Sequence, residues 1–330
     1  MHIKDLFTVT ALTEAINKLP AAPGALGAMG LFTEKGIRTT AVAIEVKNGR
    51  LFLVPSQSRN VDPQPMGGTP RGVITLSTCH LPVSGVVLPE EIQDVRAFGS
   101  EALESGLQAQ AAVINDKLQT MKASLEATRE WQRVGAIRGQ VMDADGTSVL
   151  TDLYQAFGVS KKSVNVALAA EATDVRKACL DVKRHMEKKL SGVMVRGFRA
   201  FCGPDWFDAL TAHPKVQAAY ANWQAAQDRL AGDMRSGFTF GGIEFVEYNV
   251  EVSGKPFIPA NVAQVFPVAQ GVFVTYNAPA NYNEAVNTVG APYYAKAEER
   301  RMGKGWDLEA QSNPLTLCLY PEALVEMKVS

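Results

Sequence analysis

Polar and apolar positions change their rhythm several times along the chain. Over residues 11–19, Leu12, Ala15, Ile16 and Leu19 fall on one side of a helical projection, with Thr10 or Thr13 available as a cap and Pro20 as a stop. Ala21 to Gly30 is small and rich in Gly and Pro, the composition of an extended connector. From Ile37 to Leu88 the pattern shortens to alternation. Thr40 to Val46 and Leu51 to Val54 flank Asn48-Gly49, a pair that tolerates positive φ and signals a hairpin. Asp62 to Gly72 has few bulky apolar side chains and reads as an exposed tip. A flap of two strands is marginal by itself and needs a surface to lie on.

Residues 101–134 hold the longest helical period. Leu103, Leu107, Ala111, Ile114, Leu118, Met121 and Leu125 recur at three and four residues, one apolar stripe along a helix of roughly 45 Å. The same projection leaves Gln108, Asp116, Lys117, Lys122, Glu126 and Arg129 to solvent. Val141 to Leu150 predicts a second hairpin that turns at Asp145-Gly146. Beyond it, helices are expected near 172–190, 204–212 and 214–232, with strands near 193–201, 238–250 and 271–276. Leu315 to Leu319 and Leu324 to Val329 supply closing strands. Pro204 suits a first helical turn, with Asp205 near its positive end. The mixture predicts an α+β fold.

Composition narrows the function classes. Hydrophobic residues are 46% and charged residues 20% of the 330, a globular mixture. No apolar run approaches the roughly 18 to 20 residues that cross a bilayer, and Met1 to Thr10 lacks the pattern of a secretory signal. Thirty-three basic against 34 acidic residues give a net charge of −1, without the basic excess that neutralises phosphates. The densest basic stretch, Lys183 to Lys189, is interrupted by Glu187 and reads as a solvated helix face.

The search for chemistry returns nothing catalytic. Cys79, Cys179, Cys202 and Cys318 have no metal-ligand spacing and read as reduced, buried thiols of a cytoplasmically made protein. Asp143-Ala144-Asp145-Gly146 begins like a calcium loop, but Tyr154 stands where the bidentate Glu is required. No nucleophile elbow, Walker loop or dinucleotide fingerprint occurs. His213, before Pro214, is expected to bond backbone carbonyls rather than to act as a base. No catalytic residue, cofactor or metal is therefore expected. An α+β enzyme with a dispersed site, and a DNA-binding packaging factor, are the competing readings.

Four ordered blocks then point one way. They are Gly203-Pro204-Asp205-Trp206-Phe207-Asp208-Ala209-Leu210 through His213-Pro214; Phe240-Gly241-Gly242-Ile243-Glu244-Phe245 through Tyr248; Ala278-Pro279-Ala280 through Asn287-Thr288 to Pro292-Tyr293-Tyr294-Ala295-Lys296; and Gln311-Ser312-Asn313-Pro314-Leu315 through Pro321, Leu324 and Val325. These blocks resemble the lambda-like phage major capsid protein E family. Val95 to Gly99, Thr128-Arg129-Glu130-Trp131 and Ala144-Asp145-Gly146 are similar to family strings too.

The resemblance implies a Hong Kong 97-like major capsid fold. Its parts would be an N-terminal arm (1–35), an extended β-hairpin loop (36–88), a peripheral domain (89–170) with the spine helix at 101–134, an axial domain (171–306), and strands at 307–330 returning to the peripheral domain. It implies hexamers and pentamers of the chain in an icosahedral shell around double-stranded DNA, held without sequence-specific contact. Implied partners are a separate scaffolding protein, a portal and a decoration protein, with no membrane; the site of assembly is the bacterial host cytoplasm. Candidate subunit contacts are Arg50, Arg59 and Arg71 of the extended loop, and Tyr282 and Tyr293 of the axial domain. Two departures matter. Trp206 stands where the family block often has Phe, and Lys47 is the only lysine between Lys35 and Lys117. No covalent crosslinking through the loop is expected, so denaturing electrophoresis of shells should give a single band near 36 kDa, with no ladder of higher species.

Overall fold

A computed structural model describes residues 8–19, 24–47, 71–93, 106–190, 192–219, 237–252 and 254–329. In chain order the first elements are helix α1 (Val9–Lys18), a single turn α2 (Ala25–Ala28), and strands β1 (Phe32–Gly36), β2 (Ala41–Lys47), β3 (Arg71–Ser77) and β4 (Leu81–Val87). The short α3 (Pro89–Ile92) and the long α4 (Gly106–Arg138) follow. Next come β5 (Gln140–Met142), β6 (Val149–Asp152), α5 (Leu153–Phe157), β7 (Lys162–Val166), α6 (Val175–Lys189), β8 (Val195–Cys202) and α7 (Pro204–Ala212). The remaining strands are β9 (Phe238–Phe240), β10 (Ile243–Glu247), β11 (Glu251–Val252), β12 (Lys255–Pro256), β13 (Val262–Ala269) and β14 (Phe273–Asn277). The last four are β15 (Tyr294–Glu299), β16 (Trp306–Ser312), β17 (Pro314–Cys318) and β18 (Val325–Val329).

These elements form two compact units. The first comprises Met1–Val42, Ser77–Arg133 and Val274–Thr316; the second comprises Ala43–Leu76, Val134–Phe273 and Leu317–Ser330. Strands β2 and β3 pair as a separate ribbon. The sequence places Asn48-Gly49, strand Leu51 to Val54 and most of the tip at Asp62 to Gly72 between those strands; residues 48–70 lie outside the described residues.

In the first unit, β16 pairs antiparallel with both β15 and β4, and α1 packs on β15. Helix α1 starts one residue pair earlier than its periodicity suggests, because Thr8 caps it by accepting from the Ala11 N–H at 3.3 Å. Its buried Leu12 and Ile16 join Ile114, Leu118, Met121 and Leu125 of α4 in one core with Trp306 and Leu308. From Ile114 to Leu125 the predicted stripe of α4 is thus the packed face, while Leu103 and the expected start at 101 lie outside the described residues. The helix also runs past the expected end at 134. Val134, Ala136 and Ile137 are enclosed, and Gly139 at φ +81° takes the left-handed turn that ends it. A second sheet has the order β1-β14-β17. The segment Ala21 to Gly30 is not wholly an extended connector, since α2 adds a helical turn there.

The second unit is built on a six-stranded mixed sheet, β7-β18-β13-β8-β10-β9. The β8–β10 and β18–β7 pairs are parallel; β13 is antiparallel to both β8 and β18. One core joins Val175, Cys179, Val182 and Met186 of α6 and Trp206, Phe207 and Leu210 of α7 to the sheet residues Ala200, Phe245 and Val265. Phe201 stacks on Tyr248 at 4.5 Å and meets Phe266 edge-on at 5.2 Å. Gly203 and Pro204 open α7 as the sequence indicates, and β5 and β6 form the hairpin expected at 141–150.

The two units are interleaved along the chain. Val274–Thr316 belongs to the first compact unit, between two segments of the second. Strand β18, expected to return to residues 89–170, lies in the six-stranded sheet between β7 and β13, and β7 falls within that range. The reason is pairing: β18 is in register with β13 from Val325↔Val265 to Lys328↔Val262, and its other edge takes β7.

Candidate assembly surfaces

The principal polar feature of the first unit is a chain of buried charges on α4. Lys122 and Arg129, which the helical projection left to solvent, are only 4% and 1% exposed. Both are enclosed because Tyr293 lies beneath them, with the Lys122 Nζ 5.2 Å and the Arg129 guanidinium 5.1 Å from its ring centroid. Lys122 donates to the Leu19 carbonyl at 2.7 Å. Arg129 donates to Asn277 Oδ1 and Ser312 Oγ, each at 3.0 Å, and pairs with Glu34 at 2.6 Å. Asn277 in turn donates to the second Glu34 oxygen at 2.9 Å.

One turn along the helix, Arg133 reaches Glu34 at 3.2 Å and Glu130 at 3.3 Å. The Glu130 carboxylate accepts from the Leu26 N–H at 2.7 Å and the Gly27 N–H at 3.2 Å, satisfying donors at the start of α2. Gly24 leaves room for that carboxylate: a Cβ there would overlap the Glu130 carboxyl group and push it from its place. Burial alone would raise the Glu34 carboxyl, but the Arg129 charge, the Asn277 amide and Arg133 outweigh it and hold it below 4.5. The cluster ties residues 24–36 to α4 and to residues 274–316. Its role is to position backbone.

Burial pushes the Cys179 and Cys318 thiols up to about 12 and Cys202 well above its ordinary value, so none presents a thiolate at neutral pH. No group of three or more His, Cys, Asp or Glu that could hold a metal occurs among the described residues. Asp145, at the supposed calcium loop, instead accepts from the Thr147 and Ser148 N–H groups at 2.8 Å each, fixing the turn. His213 bonds the Ala170 carbonyl at 3.2 Å, as its position before Pro214 suggests. A groove of about 510 Å³ beside α6 contains His185, whose Nε2 is bonded to the Glu322 carbonyl at 3.0 Å. No helix among the described residues is long and apolar enough to cross a membrane.

The sequence-predicted contact residues separate into three groups. Arg50 and Arg59 lie outside the described residues. Arg71 opens β3, and its side chain is not described. Tyr282 and Tyr293 are interior to the first unit, at 8% and 4% exposure. Tyr293 fills the floor under Lys122 and Arg129, while Tyr282 packs with Ala280, Ala285 and Tyr294. Burial raises both phenols, so these rings shape the unit from within and do not face outward. The apolar side chains that do face outward were not singled out by the sequence. They include Val149 and Leu150 on β6, Val250 and Val252 at β11, and Met302 in the β15–β16 turn.

Comparison with known proteins settles the family. The model for phage major capsid protein E matches residues 8–329. The chain belongs to the phage major capsid protein E family. Within it, the chain is 27% identical to the major capsid protein of Salmonella phage Felix O1 over 360 residues, covering 98% of this chain and 97% of that one. It is 26% identical to the major capsid protein of Pseudomonas phage KPP10, covering 99% and 98%. Among solved structures, the mature capsid of bacteriophage PhiM1 matches with a TM-score of 0.51 at 12% identity, over 91% of this chain and 85% of that one. The fold is Hong Kong 97-like and α+β, and the chain is a subunit of a capsid shell built from many copies.

Proposed function

We propose that the chain assembles as hexamers and pentamers into the icosahedral head of a tailed phage, in the bacterial cytoplasm, around double-stranded DNA. The observation that carries this reading is the family match across residues 8–329, in a chain whose buried charges serve packing. The first unit, with α4 as its spine, fits the peripheral role, and the second fits the axial role around the symmetry axes. Residues 1–35 fit an arm, and the segment bracketed by β2 and β3 fits a loop that lies on another subunit. Arg50, Arg59 and Arg71 would make contacts there; Tyr282 and Tyr293 would support a contact surface from beneath. A separate scaffolding protein, a portal and a decoration protein complete the expected partners.

A structural role without catalysis is supported by the raised thiols of Cys179, Cys202 and Cys318 and by His185 and His213, each bonded to a backbone carbonyl. Near-neutral charge suits a shell whose DNA is driven in by a motor rather than held by phosphate contacts. Electron microscopy of the overexpressed protein tests the reading. Closed shells or capsomer tubes are expected, and small discrete particles at high concentration would refute it. A salt titration of duplex binding should give a negligible slope; a steep one would favour a DNA-binding factor instead.

A further inference from the structure

The six-stranded sheet of the second unit ends at β7. This strand pairs with β18 alone among the described residues, so its other edge carries backbone N–H and C=O groups outside any ladder. Beside that edge runs the groove of about 510 Å³ along α6. Its floor is aliphatic, from Val164 of β7, Val325 of β18, and Ala178 and Val182 of α6. Val164 and Ala178 pack on the core of the unit but are only partly covered by it. Side chains alternate along a strand, so Lys162 shares the groove face with Val164, and Lys177 lines the groove from α6.

The polar groups of the groove are unequally engaged. Asp174 caps α6 by accepting from the Lys177 N–H at 3.0 Å, and Asp181 pairs with Arg184 at 3.2 Å. His185 is held at the Glu322 carbonyl. The ammonium groups of Lys162 and Lys177 are exposed and have no partner among the described residues. A bare sheet edge, an aliphatic floor and two uncommitted cations lie together.

We propose that this edge and groove bind an extended, acidic and aliphatic segment of a separate protein by strand addition. Backbone hydrogen bonds to β7 hold the segment, and its alternate side chains enter the groove: aliphatic ones over Val164 and Ala178, carboxylates at Lys162 and Lys177. The groove takes only a few side chains, whereas two folded surfaces that dock stably bury roughly 1,200 to 2,000 Å², so a short linear segment is the fitting occupant. A lysine on an edge strand deters indiscriminate pairing, and Lys162 does so for any strand that brings no carboxylate. The exposed run Val250-Glu251-Val252 of this chain fits poorly, because alternation puts Glu251 on the face opposite the two valines.

The test uses the full-length chain in dilute, unassembled form and the fluorescein-labelled peptide Asp-Thr-Val-Thr-Val-Thr-Asp, which presents valines and carboxylates on one face. Anisotropy should show saturable binding, and the matched peptide with Lys for Asp should bind about tenfold more weakly. Lys162→Glu with Lys177→Glu should weaken the acidic peptide about tenfold. Arg176→Glu with Lys188→Glu reverses two exposed charges of α6 that do not line the groove, and should change binding by less than about twofold. N-methylation of every second residue of the peptide should abolish binding in one setting and spare it in the other, since only alternate amides of an added strand point at β7. Amide exchange of residues 162–166 should slow when the peptide is bound. Absence of saturable binding, equal loss in both double variants, or tolerance of both methylation settings overturns the proposal. So does exchange at 162–166 that slows with chain concentration alone, which would give the edge to a second copy.

Discussion

Arg129 is charged, almost fully enclosed, and held by three segments distant in sequence: Glu34 on β1, Asn277 on β14 and Ser312 on β16. Removing one member of such a buried group leaves the others desolvated without compensation. Arg129→Met should therefore cost about 3 kcal/mol of unfolding free energy, read as a lower denaturant midpoint. Glu34 makes the same point through pH. Its folded carboxyl lies below 4.5, so the stability it contributes is complete above that value and is lost as pH falls through the lowered folded pKa. Amide exchange of Phe32–Gly36 should accelerate as pH drops below 4.5, beyond the intrinsic pH dependence; Glu34→Gln should lose the acid-dependent part. The sequence could not disclose this cluster. A helical projection treats Lys122 and Arg129 as solvent-facing because it knows only the helix, and their partners come from elsewhere in the chain.

At the scale of elements, local periodicity was informative wherever one face packs and the other is wet. The α4 stripe is such a case: Ile114, Leu118, Met121 and Leu125 are all buried as their spacing suggests. Leu118, with no exposed surface, should cost about 3 kcal/mol when changed to Ala, measured by denaturant unfolding at unchanged m-value. Periodicity was silent for β13, whose residues Val262 to Pro267 are buried on both faces, so nothing alternates. It was silent for β15 as well. Tyr294-Ala295-Lys296-Ala297-Glu298-Glu299 is rich in good helix formers, yet pairing with β16 along six residues and packing against α1 make it a strand. The hairpin at 140–152 was legible because its turn chemistry is local: Asp145 bonds N–H groups two and three residues ahead.

For the whole molecule, family blocks in the sequence carried the fold and function, while the partition of the chain had to come from three-dimensional pairing. The chain leaves the second unit after Phe273, contributes Val274–Thr316 to the first, and returns to finish the sheet it had left. A list of linear segments cannot express that interleaving. Its most practical consequence concerns synthesis. Strand β18 joins β7 to β13, so a nascent chain on the ribosome holds that sheet as two fragments with bare edges until residues 325–329 emerge. Polypeptides stopped after residue 324 should be degraded or sediment as aggregates, and should not enter particles when co-expressed with intact protein. Translation errors would then be discarded before they could be built into the virion.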